Sequence, residues 1–152
     1  MEIKEKEEFK VVGLQITTTV QECISNNPHP KLWKDFLEKA EKIRNRVGNK
    51  SYGVSKEISK KECKFTSLAC FEVDDLNNIP EGLTGMTVPK SKYAVFTHKG
   101  KLEDLTETYR KLYEEDMPKS GLKQKEIWME VYDERYIHGS EDSIMEIWVA
   151  VE

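Results

Sequence analysis

A chain of 152 residues with 38% hydrophobic and 34% charged residues has the length and composition of one polar globular domain with its own core. Its net charge of -4 comes from 24 Lys and Arg against 28 Asp and Glu mixed along the chain, which argues against a nucleic-acid stripe or a polybasic membrane tail. The charged start MEIKEKEE is no signal peptide, and no run of about 18 apolar residues offers a membrane span.

Cys23, Cys63 and Cys70 are odd in number and widely spaced, so reduced thiols in a cytoplasmic protein are expected rather than a disulfide framework. His29, His98 and His138 lie far apart, and no Cys or His falls at a zinc-like spacing. Neither a metal nor a cofactor is expected.

In chain order, FKVVGLQITTTV (Phe9–Val20) reads as a β-branched strand interrupted by Gly13. Pro30 suits the first position of a helix whose stripe is Leu32, Trp33, Phe36, Leu37, Ala40, Ile43 and Val47, with Gly48-Asn49 as its stop. Strands follow at about Ser51–Ile58 and Lys64–Val73, then a turn-rich link over Asp74–Glu81. Tyr93–Thr97 is the next strand. A second helix opens after Gly100, with Glu103 and Asp104 complementing its dipole; Leu102, Leu105, Tyr109, Leu112 and Tyr113 form its stripe, and Pro118 stops it. Strands at Glu126–Tyr136 and Ser143–Val151 flank a turn at His138-Gly139-Ser140.

The order strand–helix–strand–strand therefore occurs twice, at about residues 8–74 and 84–152. An α+β fold is predicted: duplicated strand–helix–strand–strand units in one domain (1–152), building an antiparallel sheet with both helices on one face and a ligand cleft left over.

Pairing the last two strands about Gly139 sets Tyr132 opposite Glu146 and Glu130 opposite Trp148. Alternation then groups Trp128, Glu130, Tyr132, Glu146 and Trp148 on one face, with Met129, Val131, Met145, Ile147, Val149 and Val151 on the other. The mixed face reads either as the wet side of an antiparallel sheet or as an aromatic box holding carboxylates, suited to flat, apolar, cationic ligands.

The residues also resemble the GyrI-like small-molecule-binding family, the effector-binding domain of AraC-type and related multidrug-sensing regulators. The resemblance runs through Pro30-Lys-Leu-Trp33-Lys-Asp-Phe36, Tyr52-Gly53-Val54, Phe71-Glu72-Val73, Ile79-Pro80-Glu81-Gly82, Val88-Pro89 and Tyr93-Ala-Val-Phe-Thr-His98-Lys-Gly100. It continues through Pro118-Lys-Ser-Gly121, Glu130-Val-Tyr132-Asp133 and Glu146-Ile-Trp148. The chain departs from the family at Ala150, where a proline is common, and at Cys70 or Phe71, where a smaller residue is usual.

The resemblance implies a duplicated strand–helix–strand–strand fold with Glu146 in a ligand cleft, Glu130 and Tyr132 beside it and Trp148 as a wall. Trp128, Trp33, Tyr52 and Phe71 complete the ligand-binding candidates, although Trp33 also suits a helix core and Tyr52 plain packing. His98 reads as a structural histidine.

Three functions follow from this reading. The first is sensing or sequestration of hydrophobic, cationic or polyaromatic compounds. The second is hydrolysis of cyclopropane-bearing electrophiles by Glu146, Glu130 and Tyr132. The third is a protein-interaction role toward gyrase or a separate regulator. Met1–Glu8 is too short for a helix-turn-helix, so direct DNA binding is not expected.

Overall fold

Eight segments become strands of one antiparallel sheet in a computed structural model that describes residues 1–152. They are β1 (Glu2–Lys6), β2 (Phe9–Thr19), β3 (Arg46–Ser59), β4 (Lys64–Val73), β5 (Thr84–Val88), β6 (Ser91–Lys99), β7 (Gln124–Tyr132) and β8 (Ile144–Val151). Across the sheet their order is β1-β6-β8-β7-β3-β4-β2-β5. The seam between β3 and β7 divides it into β3-β4-β2 on one side and β7-β8-β6 on the other. Each side then gains one outer strand from the opposite part of the chain: β5 pairs with β2, and β1 with β6.

One face of the sheet closes on itself. Phe9, Val11 and Val88 from one flank meet Tyr93, Val95 and Ala150 from the other, over Tyr52, Val54, Met129 and Val131. Only a curled sheet can bring both flanks into one buried cluster. Gly13 is required in this wall, since a Cβ there would lie 1.9 Å from the Ala69 carbonyl oxygen.

Helices cover the other face in two separate places. A short α1 (Val20–Ser25), capped by the Thr19 hydroxyl, precedes α2 (His29–Lys39), and α2 buries Leu32 and Phe36 against Ala69 and Phe71. Across the seam, α3 (Leu105–Lys111), a π-helical turn (Leu112–Asp116) and α4 (Met117–Ser120) run on continuously. That segment packs Leu112 and Met117 on Ala94, Phe96, Ile147 and Val149. The two helical coverings leave the central strands β3 and β7 between them.

Several boundaries differ from the sequence-based expectation. The first helix stops at Lys39, followed by a 3-10 turn (Ala40–Lys42), and Val47 and Gly48 belong to β3. Tertiary contacts outweigh periodicity there: Asn45 bonds Asp74 and the Asp75 carbonyl, and the Arg46 guanidinium lies 3.5 Å from the Phe71 ring centre.

Pro118 sits within the helical segment rather than ending it. It has no N–H to donate, the preceding turn is widened to a π-turn, and Gly121 at φ 72° makes the actual stop. Both outer strands, β1 and β5, went unpredicted. β1 carries alternating charges, a common protection for a sheet edge, which hides it as a strand signal. β7 ends at Tyr132, and a loop runs from Asp133 to Ser143.

Candidate functional site

The register of β7 against β8 decides which residues can share a site. Glu130 stands opposite Ile147, Val131 opposite Glu146, and Met129 opposite Trp148. The expected pairs Tyr132–Glu146 and Glu130–Trp148 are therefore corrected by one residue. A one-residue slip turns every side chain of one strand to the other face. The alternation within each strand was read correctly, but the two were aligned wrongly. The loop of residues 133–143 is too long for Gly139 to fix the register as a tight hairpin turn would.

With the corrected register, two rows of side chains cross the helix-covered face. One is Phe96–Ile147–Glu130–Gly53–Ala69, and the next is Ala94–Val149–Trp128–Ser55–Ser67. The rows lie about 7 Å apart, two residues along a strand. Small side chains at Gly53, Ser55 and Ser67 recess the floor between α2 and the second helical segment, while Ala69 lies under Leu32 and Phe36 of α2. A Cβ on Gly53 would reach Trp33 Cζ2 at 3.6 Å and Glu130 Cβ at 3.8 Å, so α2 holds the Trp33 ring directly over this floor.

Glu130 is the charged centre of the cleft. Tyr109 Oη donates to its Oε2 at 2.7 Å, and Tyr132 Oη donates to its Oε1 at 2.6 Å. The Trp33 ring meets Tyr132 edge-on at 5.5 Å, Tyr136 meets Tyr132 at 4.9 Å, and Tyr113 stacks on Tyr109 at 6.1 Å. Burial first, and the Glu130 charge second, hold the Tyr109 and Tyr132 phenols well above the ordinary tyrosine value, so both remain donors. Burial likewise pushes Tyr113 up to about 12.

None of the molecule's ion pairs includes Glu130. The nearby carboxylates Asp133 and Glu146 share Arg135 instead. Two phenols satisfy hydrogen-bonding capacity without cancelling charge. The cleft is thus a half-buried negative charge ringed by aromatic faces.

The far end of the cleft is polar and neutral. Ser55 Oγ and Ser67 Oγ are 3.2 Å apart, Ser67 Oγ is 3.0 Å from His29 Nε2, and His29 Nδ1 is 2.8 Å from Asn27 Oδ1. Phe65 separates this group from the ring of Trp128, stacking on His29 at 6.4 Å and lying 5.3 Å from the indole.

The remaining expected residues are dispersed. Glu146 faces the closed interior side, where Trp148 Nε1 donates to its Oε1 at 2.9 Å and Arg135 pairs with its Oε2 at 3.2 Å. Trp148 leans on Tyr93 at 5.5 Å, with the Lys4 ammonium 5.7 Å from its ring. Tyr52 is buried against Phe9 on that same side. Phe71 lies on the helix side but in the core, edge-on to Phe36 at 4.9 Å. The structure therefore gathers Glu130, Tyr132, Trp128 and Trp33, and leaves Glu146, Trp148, Tyr52 and Phe71 outside the cleft. His98 is buried and satisfied by Thr108 and the Lys101 carbonyl.

The roles of Tyr109, Gly53 and the His29–Ser67 group went unread in the sequence: Gly53 stood only within the Tyr52-Gly53-Val54 resemblance, His29 only as an isolated histidine, and Tyr109 only as a ring in a helical stripe that leucine would fill equally well. A surface groove of about 330 Å³ lies elsewhere, beside Met1, Val95 and Leu112. Of its charged members, Lys111 and Asp116 face each other at 3.7 Å and Glu2 pairs with Lys4 at 3.8 Å, so each charge already has a partner.

Comparison with known proteins agrees with this architecture. Residues 2–151 match the family described as Cass2, integron-associated effector binding protein. The transcriptional regulator BrlR of Pseudomonas aeruginosa is 31% identical over 136 residues, which are 88% of this chain and 48% of that protein. The chain thus spans about half the length of this relative.

Among solved structures, the integron cassette protein VCH_CASS2 from the mobile metagenome of Vibrio cholerae superposes with a TM-score of 0.77 at 20% identity, covering 99% of this chain and 95% of the other. SAV2435 bound to tetraphenylphosphonium gives 0.77 at 18% identity, covering 99% and 93%. The C-terminal domain of EcmrR gives 0.67 at 19%, covering 99% and 96%.

Proposed function

As the chain belongs to the GyrI-like effector-binding family, within its integron-associated Cass2 group, we propose that it binds hydrophobic organic cations in the cleft over the β3–β7 seam. The single observation that carries this reading is Glu130, a charge without a counter-ion among aromatic rings. The counter-charge role passes from Glu146, already paired with Arg135, to Glu130.

The chemistry selects for soft cations. A small, strongly hydrated ammonium or metal ion loses much hydration on entering an aromatic cleft. A phosphonium or quaternary ammonium carries its charge inside an apolar shell and loses little. Ring faces then attract it through their quadrupoles, and the carboxylate supplies the Coulomb attraction. Trp33 and Trp128 offer broad faces, while Tyr109 and Tyr132 hold the carboxylate in place before the ligand arrives. That pre-orientation lowers the ordering cost of binding. The neighbour bound to tetraphenylphosphonium is consistent with such a ligand class.

Titration of tetraphenylphosphonium, followed by tryptophan fluorescence and calorimetry, tests the reading. Saturable binding is expected, weakened at least about tenfold by Glu130→Gln, with neutral triphenylphosphine oxide binding more weakly than the cation. Wild-type affinity in folded Glu130→Gln would overturn it.

A further inference from the structure

Beside the cation site, a set of side chains has the connectivity of a nucleophile, a base and an orienting group. Asn27 Oδ1 accepts the His29 backbone N–H at 3.1 Å, which identifies that amide atom as oxygen. The same oxygen lies 2.8 Å from His29 Nδ1, so Nδ1 carries the ring proton and donates it. His29 Nε2 is left with a lone pair, and Ser67 Oγ at 3.0 Å donates its hydroxyl proton there. Ser55, at 3.2 Å, donates to Ser67 Oγ in turn.

Every bond in the chain Ser55–Ser67–His29–Asn27 points the same way, toward a base held in one tautomer by the residue two positions before it. Burial lowers the His29 pKa, partly offset by the Glu130 charge, and so favours the neutral ring that a base requires. Simple mutual satisfaction of a buried serine and histidine does not require the Asn27 contact that fixes the tautomer.

We propose that Ser67 is a nucleophile with His29 as its general base and Asn27 as a positioning residue, and that the cleft cleaves small esters by acyl transfer to Ser67. The expectation that the alcohol part of the ester carries a hydrophobic cation rests on the binding role of Glu130. The nucleophile itself does not depend on it.

In the first half-reaction, Ser67 Oγ forms a bond to the ester carbonyl carbon, and its proton moves to His29 Nε2. The carbonyl π pair shifts onto oxygen, with the Ser55 hydroxyl 3.2 Å from Ser67 Oγ as the donor assigned to it. Collapse of the adduct breaks the bond to the alcohol oxygen, which leaves with the proton from Nε2. Water then attacks the acyl-serine, gives its proton to Nε2, and the carboxylic acid departs as Ser67 recovers that proton. The net change is ester plus water to alcohol plus acid.

Ser67 is only 3% exposed, which shields it from bulk solvent. Substrate approaches it from the Gly53 side, since Ala69 lies under Leu32 and Phe36 of α2. In that path a group bound near Glu130 sits two strands across and two residues along from the hydroxyl, about 12 Å away.

The full chain is incubated with a fluorophosphonate probe and, separately, with p-nitrophenyl acetate, and the modified residue is located by peptide mass spectrometry. Covalent modification at Ser67 is expected. It should be absent in Ser67→Ala and slowed at least about a hundredfold in His29→Phe, which keeps a ring beside Phe65 but no base. Asn27→Ala should slow it about tenfold and Asn27→Asp restore it, a split that a merely structural contact would not show and that still tests the relay should His29→Phe fail to fold. Labelling of Ser67 by the uncharged fluorophosphonate is read in the wild-type chain independently of whether tetraphenylphosphonium binds, which separates this proposal from the cation site. Unmodified Ser67 in wild type, or a folded His29→Phe as reactive as wild type, overturns it.

Discussion

Glu130 and Glu146 sit on adjacent strands, yet they meet opposite chemical circumstances. Glu146 faces the closed side of the sheet, where the Arg135 guanidinium and the Trp148 indole already occupy its two oxygens. Glu130 faces the helices and receives only phenol hydroxyls. Both carboxylates are hydrogen-bonded, but only Glu146 is neutralised. Hydrogen-bond satisfaction and charge compensation are separate conditions, and a binding site for a cation is one where the first is met and the second is not.

The largest effect separating the two should come from the tyrosines. In the double variant Tyr109→Phe with Tyr132→Phe, Glu130 loses both donors, and chemical denaturation should show a loss of about 3 kcal/mol, from about 1–3 kcal/mol for each bond to a half-buried charge. A loss under about 1 kcal/mol would mean that water replaces the phenols freely, and would dissolve the contrast with Glu146.

Next comes the cleft floor. Gly53→Leu places a side chain between Glu130 and Trp33, within ordinary contact of both. Tetraphenylphosphonium binding should weaken about thirtyfold, equivalent to about 2 kcal/mol of overpacking, while Glu146→Gln changes it less than about twofold. Equal effects of the two variants would place the ligand somewhere other than over the seam.

A pH dependence sharpens the comparison further. The Tyr109 and Tyr132 values are raised on folding, so their contribution to stability is fully present below the ordinary tyrosine value of 10.0 and is lost as pH rises through the higher folded values. Thermal melts from pH 9 to about 12 should fall more steeply in wild type than in Tyr109→Phe. Identical slopes would show that folding does not raise the Tyr109 phenol.

The smallest effect belongs to the compensated partner. Arg135→Ala breaks the ion pairs with Asp133 and Glu146; the arginine is 41% exposed, and solvent screening limits each to about 0–1 kcal/mol, smaller still in high salt. A stability loss above about 2 kcal/mol would mean that Glu146 depends on its partner as strongly as Glu130 does on its phenols.

Much of this arrangement was legible in the sequence. The alternation of β7 and β8, the covering of one face by both helices and the aromatic–carboxylate character of the last strands all follow from spacing. The candidate site was legible only in part, because the sequence offers two carboxylates and the preference we propose for Glu130 over Glu146 rests on geometry. That choice depends on a register set by an irregular loop and by the pairing of β7 with β3, where Gly53 meets Glu130. No local pattern encodes a partner 77 residues away. Tyr109 was hidden for a different reason, since a ring in an amphipathic stripe satisfies the helix whether or not its hydroxyl is used.

The two outer strands carry a consequence for how the chain can be divided. β1 belongs to the first part of the sequence but borders β6, while β5 crosses back to border β2. Cleavage in the link at Asn78-Ile79 would strip the former portion of β5 and the latter of β1, and would leave β1 without a ladder to join. Neither piece would own a complete border. The halves behave as a clasp rather than as two stacked bricks, and a nicked chain should hold together as one non-covalent complex that re-forms from its two peptides.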